Sequence, residues 1–155
     1  SPDRLGARHR WWQADQGVKL FAVCDEHGAL LDLELQPANT DDRAGVLPML
    51  PRLAALGFQG ALLGDSNLKG APFAAAAIEH DIHVSASPGG TREGRFLPNG
   101  IRWVVERMFG WLSRYRRLNI IYDRAADLFA GHIWIAMISI VACRLVAQTQ
   151  AQQGL

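Results

Sequence analysis

The run Ile133–Cys143 (IWIAMISIVAC), bounded by His132 and Arg144, is the longest apolar stretch in the chain, at eleven residues. A helix needs about 20 apolar residues to cross the hydrocarbon of a bilayer, so this run reads as a buried helix. Such a helix has to be covered by other elements. With 155 residues, 49% of them hydrophobic and 20% charged, the chain can supply that cover within one domain. The same figures exclude a disordered tail, a collagen-like fibre and a disulfide-stapled miniprotein.

The covering elements are legible as patterns. Val18–Cys24 is apolar and β-branched, Asp25-Glu26-His27-Gly28 supplies a turn, and Ala29–Gln36 alternates. Leu31, Leu33 and Leu35 then share one face and Asp32, Glu34 and Gln36 the other, which predicts a half-buried strand with its polar face outward. Asn39, Asp41 and Asp42 are candidate caps for a helix from about Asp42 to Leu56, kinked or delayed by Pro48 and Pro51. Ala61–Gly64 reads as a short buried strand ending at Asp65, Ala71–His80 as a helix with Pro72 in its first turn, and Ile82–Ala86 as a strand. Pro88–Gly100 is linker-like. Two helices close the chain, Ile101–Asn119 and Asp123–Gln148, the latter a core helix whose Ala and Ile face could also meet a partner subunit. The order β-β-α-β-α-β-α-α predicts a mixed α/β fold around a partly antiparallel sheet, in one domain over 1–155.

The net charge of +1 conceals a segregation: residues 25–81 carry three basic against nine acidic groups, and residues 82–155 nine against four. Fourteen of the sixteen basic residues are Arg, whose planar fork suits phosphate. Cys24 and Cys143, without CxxC spacing, read as buried thiols of a reducing, cytoplasmic compartment. The chain starts with Ser, which suggests a fragment of a longer protein.

Helical geometry resolves Ile101–Leu118 further. At 100° per residue, Arg102, Gly110, Ser113 and Arg117 fall within about 40° of Glu106, while Ile101, Val104, Met108, Trp111, Leu112, Tyr115 and Leu118 gather opposite. One reading is a solvated face with ion pairs such as Arg102–Glu106, each contributing about 0.2–0.5 kcal/mol. The other makes Glu106 a metal ligand beside arginines that meet phosphates, and it needs a second acid on a neighbouring element. Asp65, at the end of a strand, is the candidate. Hard divalent cations take oxygen ligands, and paired ions between carboxylates cut or join phosphodiesters.

The block Arg102-Trp103-Val104-Val105-Glu106-Arg107-Met108-Phe109-Gly110-Trp111-Leu112, followed by Arg114-Tyr115-Arg116-Arg117-Leu118, resembles the C-terminal block of bacterial insertion-sequence transposases of the DDE class. Upstream, Ala22–Gly28 is similar to that family's Val-Asp-x-x-Gly turn, Ala38–Asp42 to its Ala-Asn-x-x-Asp block, and Leu63-Gly64-Asp65 to its strand-borne second Asp, so the resemblance covers roughly residues 18–147. It implies an RNase H-like mixed sheet flanked by helices, with Asp65 and Glu106 as catalytic and metal-binding acids. It also implies a two-metal Mg²⁺ or Mn²⁺ site, and cleavage and strand transfer at transposon ends into target DNA. A homodimer in the active complex, a nucleoid-associated location and no membrane partner follow from the same likeness. Arg102, Arg107, Arg114, Arg116 and Arg117 are the DNA-binding candidates, with Arg124 on the same basic strip. The Asp65 and Glu106 carboxylates are expected within about 4–8 Å of each other.

Departures from the family pattern are specific. Ser113 stands where a subgroup has Lys, and Leu68 where a Tyr is common. Asp3, Asp15 and Asp25 do not fit the first catalytic Asp, so the first strand, its Asp and a DNA-binding domain are expected upstream of Ser1. On that basis the chain alone is expected to lack measurable strand cleavage. Two alternatives stay open: an inactive transposase-derived remnant that at most binds DNA, and an unrelated α/β domain with an ordinary surface helix at Glu106. His80 and His83 read as surface or strand-end histidines rather than a zinc site. Trp11-Trp12 reads as an N-terminal anchor or a strand-stacking patch.

Overall fold

The computed structural model describes residues 17–86, 91–92, 95–96, 102–119 and 125–153. Asp3, Trp11, Trp12, Asp15 and Arg124 lie outside them. The first elements are β1 (Val18–Cys24) and β2 (Leu30–Pro37), an antiparallel hairpin. Its turn is closed by Asp25, whose Oδ1 accepts from the backbone N–H of His27 at 2.9 Å and of Ala29 at 2.7 Å. Gly28 takes φ +83° there, and its missing side chain leaves room for the Trp111 ring, 3.1 Å from where a Cβ would sit.

Two short helices follow, α1 (Asp42–Val46) and α2 (Met49–Ala55). The single helix expected from Asp42 to Leu56 is broken at Leu47-Pro48, because proline offers no N–H to continue the ladder. Asp41 is the N-cap of α1, accepting from the Arg43 backbone at 3.0 Å. Strand β3 (Gly60–Gly64) runs into a 3₁₀ turn (Ser66–Leu68), then α3 (Ala71–Ile78) leads to β4 (Ile82–Ala86), which pairs parallel with β3. Within the stretch that reads as a linker, β5 (Thr91–Arg92) and β6 (Arg95–Phe96) form a minimal antiparallel ladder.

Helix α4 spans Arg102–Leu112, α5 Arg116–Asn119 and α6 Ala126–Gln153. The chain therefore departs from one continuous helix over Ile101–Asn119: Ser113–Tyr115 form a turn, with Arg114 N–H bonded to the Trp111 carbonyl at 3.2 Å. That break ends the face on which Ser113 and Arg117 would have lined up with Glu106.

The mixed α/β architecture is as the sequence leads one to expect, with parallel and antiparallel pairing held in separate two-stranded ladders among the described residues. The hairpin lies between two cores. Phe21 and Val23 face a cluster with Val46, Met49, Leu50, Leu53, Leu62 and Ile82. Leu30, Leu33 and Leu35 face a second cluster with Met108, Leu112, Phe129, Ile133 and Met137. The pairing slips by one residue at Val23/Cys24, opposite Leu30 and Asp32, and this bulge turns Leu31 away from Leu33 and Leu35 toward the first core.

Three sequence expectations need correcting. The polar face of β2 is not open to water, since Asp32 is 8% exposed beneath Arg52 of α2. Strand β3 is buried only at Leu62; Leu63 is 47% exposed. Neither cysteine is fully buried: Cys24 is half-buried and Cys143 exposed, both as free thiols. The apolar run sits inside a helix of 28 residues, the one helix among the described residues long and apolar enough to cross a membrane. In this fold Phe129, Ile133, Ala136 and Met137 of that helix pack into the second core.

Two expected outcomes test this packing. A Cβ at Gly45 would fall within the buried Phe21 ring, so Gly45→Ala should destabilise the chain by about 1–3 kcal/mol, read from the urea midpoint. Lys19, with help from Asn67, holds the Asp42 carboxyl below the usual carboxylate range. A depressed folded value stabilises above the unfolded pKa of about 4 and is lost as pH falls through the folded one. Urea midpoints should therefore fall as pH drops from about 5 to about 3, and Asp42→Asn should flatten that fall.

Candidate active site

Asp65 follows the last residue of β3 and adopts extended backbone (φ −71°, ψ 165°) as the cap of the 3₁₀ turn. Its Oδ1 accepts from the Ser66 backbone N–H at 2.6 Å and from Ser66 Oγ at 3.2 Å, and the residue is exposed. The turn is tied to its neighbours. Asp42 at the start of α1 accepts from Asn67 Nδ2 at 2.8 Å and from Lys19 Nζ on β1. Arg43 donates to the Lys69 carbonyl at 3.5 Å. Thus one carboxylate, Asp42, links β1, α1 and the turn that carries Asp65.

Glu106 sits on the exposed side of α4, while Val104, Met108 and Leu112 one turn apart are buried. What sets the position of this helix is its other flank. Arg107 stacks over Trp103 (4.2 Å to the ring centre) and Trp111 (5.1 Å), and Arg144 of α6 covers Trp111 at 4.5 Å. Arg107 Nη2 and Arg144 Nη1 both donate to the His27 carbonyl, at 3.0 and 3.1 Å. The hairpin turn, α4 and α6 are clamped together at that oxygen.

The predicted site residues therefore divide. Asp65 and Glu106 are both exposed carboxylates, Asp65 held by Ser66 of its own turn and Glu106 on α4. Arg107 takes part in the clamp through Nη2. Arg114 is exposed and lines a groove, and Arg116 and Arg117 are exposed on α5. Arg102 opens α4, and its side chain lies outside the described residues. His80 lies in the turn after α3 and His83 is exposed on β4, as surface and strand-end residues would be.

Among the described residues no three His, Cys, Asp or Glu side chains gather closely enough to hold a metal. Mg²⁺ asks for less, because one or two carboxylates suffice when water and substrate phosphates complete its shell. Asp65 and Glu106 have the oxygen chemistry that such an ion takes. Two features escape sequence reasoning. Asp42 reads as a cap, yet its position at the end of the Ala-Asn-x-x-Asp block is a signal that it does something else. Arg144 gives no local signal, since its partner lies more than a hundred residues away at His27.

Comparison with known proteins bears on the same stretch. The family model described as "Transposase DDE domain" matches residues 63–142, which hold both Asp65 and Glu106. A Burkholderia cepacia protein named "Putative transposase for insertion sequence element IS402" is 30% identical over 129 residues, covering 78% of this chain. The chain spans 61% of that relative's length. No solved structure matches. The match runs from the end of β3 through most of α6, more than half of the chain, and with it the chain belongs to the DDE transposase domain family.

Proposed function

We propose that the chain is catalytic-domain sequence of an insertion-sequence transposase that cuts transposon ends and joins them to target DNA. The carrying observation is the pair of exposed carboxylates on defined elements within the family match, Asp65 at the end of β3 and Glu106 on α4. An antiparallel hairpin followed by a parallel strand pair with an acid at its end supports an RNase H-like arrangement. In this reading Asp65 and Glu106 would hold Mg²⁺ or Mn²⁺. When bound, such ions activate the attacking oxygen and stabilise the leaving one.

The chain's own groups do the rest. Asp65 spends one oxygen on Ser66 and keeps the other for a ligand, which fixes its direction. Glu106 is carried by a helix that the His27 clamp prevents from sliding. Arg114, Arg116 and Arg117 meet phosphates as exposed cations, and the active complex is a homodimer working at the nucleoid in the cytoplasm.

Two measurements test the reading. In Mn²⁺ titrations of the full chain followed by electron paramagnetic resonance, Asp65→Asn and Glu106→Gln should each weaken binding by at least about tenfold. Unchanged affinity in both variants would remove the metal site. In duplex DNA titrations, replacing Arg116 and Arg117 by Ala should reduce the slope of log K against log salt by about 0.9 for each phosphate no longer neutralised. A slope that does not move would assign those arginines to the protein's own surface.

A further inference from the structure

Between α4 and α6 lies a groove of about 610 Å³ lined by Trp111, Arg114, Tyr115, Ser139, Cys143 and Arg144. Among the described residues no carboxylate pairs with Arg107, Arg114 or Arg144. Arg107 and Arg144 instead converge on a single neutral oxygen, the His27 carbonyl, and the buried Arg107 Nε has no partner. Two like charges on one carbonyl are tolerated far better with an anion close by. Arg144 uses one of its five N–H donors there, and the Arg114 guanidinium makes no hydrogen bond or ion pair with any described residue. Ser139 adds a hydroxyl at the wall.

We propose that this groove binds the phosphodiester backbone of a DNA strand, held between Arg114 and Arg144. The inference rests on the transposase reading for its choice of DNA as the polyanion. Two guanidinium groups, Arg114 and Arg144, line one open groove, which suits a repeating phosphate backbone. It also moves the phosphate contact: Arg107, the nearest arginine in sequence to Glu106, is the support, and Arg144, 38 positions after Glu106 by numbering, is the contact.

Cys143 reports on the groove directly. It is exposed in the lining, whereas Cys24 is half-buried and burial, followed by the Asp25 charge, pushes its thiol pKa up. Cys143 should therefore be the faster of the two to alkylate. With the full chain and a short mixed-sequence duplex at ten times its Kd, iodoacetamide labelling of Cys143 should slow by about tenfold, counted by peptide mass spectrometry. Labelling of Cys24 should hold its rate. Arg114→Ala should keep the melting temperature, lower the salt slope by about 0.9 and weaken the protection. Inorganic phosphate at the same total phosphate concentration should protect nothing. Equal protection by phosphate would make this a free-anion site and overturn the proposal. DNA binding with unchanged Cys143 labelling, or with an unchanged slope in Arg114→Ala, would place the strand elsewhere and overturn the groove while sparing the transposase reading. Absence of any DNA binding by the unmodified chain would overturn both.

Discussion

Asp32 sits in the middle of a strand that is covered on both faces, and the hairpin can be covered that way only because this carboxylate is answered. Its Oδ2 takes the Arg52 Nε at 2.8 Å, its Oδ1 takes the Leu33 backbone N–H at 2.9 Å, and Arg52 also reaches Glu34 at 2.8 Å. Burial works against the Arg52 charge, yet the bonds to Asp32 and Glu34 outweigh it and raise its pKa. Losing the guanidinium would leave a buried acceptor group short of donors, a cost of about 1–3 kcal/mol. With the pair in place, α2 closes over one side of β2 while α6 closes over the other. Everything that positions the acids is built on that sandwich.

The second constraint acts at the hairpin's tip. Gly28 admits the Trp111 ring, and the two arginines stacked on that ring meet the carbonyl next door. Stacked cations of this kind contribute about 0.5–2 kcal/mol each, more when shielded from water. The geometric effect exceeds the energetic one. Because Arg107 is the neighbour of Glu106, locking the arginine to the turn fixes the rotation of α4, and with it the side on which Glu106 emerges. The turn bearing Asp65 is fixed separately, through Asp42 to Lys19 and Asn67. Both tethers lead back to the hairpin, the first to His27 in its turn and the second to Lys19 on β1.

Much of this is readable in the residues, and the failures share a cause. Periodicity places both hairpin strands, β4 and the buried stripe Val104, Met108, Leu112, because each depends on neighbours within a few positions. The same periodicity puts Asp32 in water, since local pattern does not reveal that α2 will cover a charge. The break at Ser113–Tyr115 is likewise hidden: those residues carry no proline, and the bulk of Tyr115 and Leu118 packing against the second core sets the new direction. Asp65 and Glu106 stand out as candidates by helix face and strand end, but it is the family resemblance that gives the pair weight, because an acid on a strand end and an acid 41 positions later by numbering mean little by spacing alone.

Charge segregation gives the candidate site its remaining logic. Asp42 and Asp65 belong to the stretch 25–81, which carries nine acidic groups against three basic, while the arginines of the groove belong to 82–155. A polyanion approaching the acidic part is repelled, and it is drawn to the basic one within roughly a Debye length of about 8–10 Å. In the proposed function a DNA strand would settle first along α4 and α6, guided by Arg114 and Arg144. On the same reading Asp65 would hold a divalent cation, which would reverse the local sign on the acidic side. In the proposed function the two charge regions would thus have separate tasks, the arginines of 82–155 drawing the backbone and the acid at the end of β3 offering oxygen ligands.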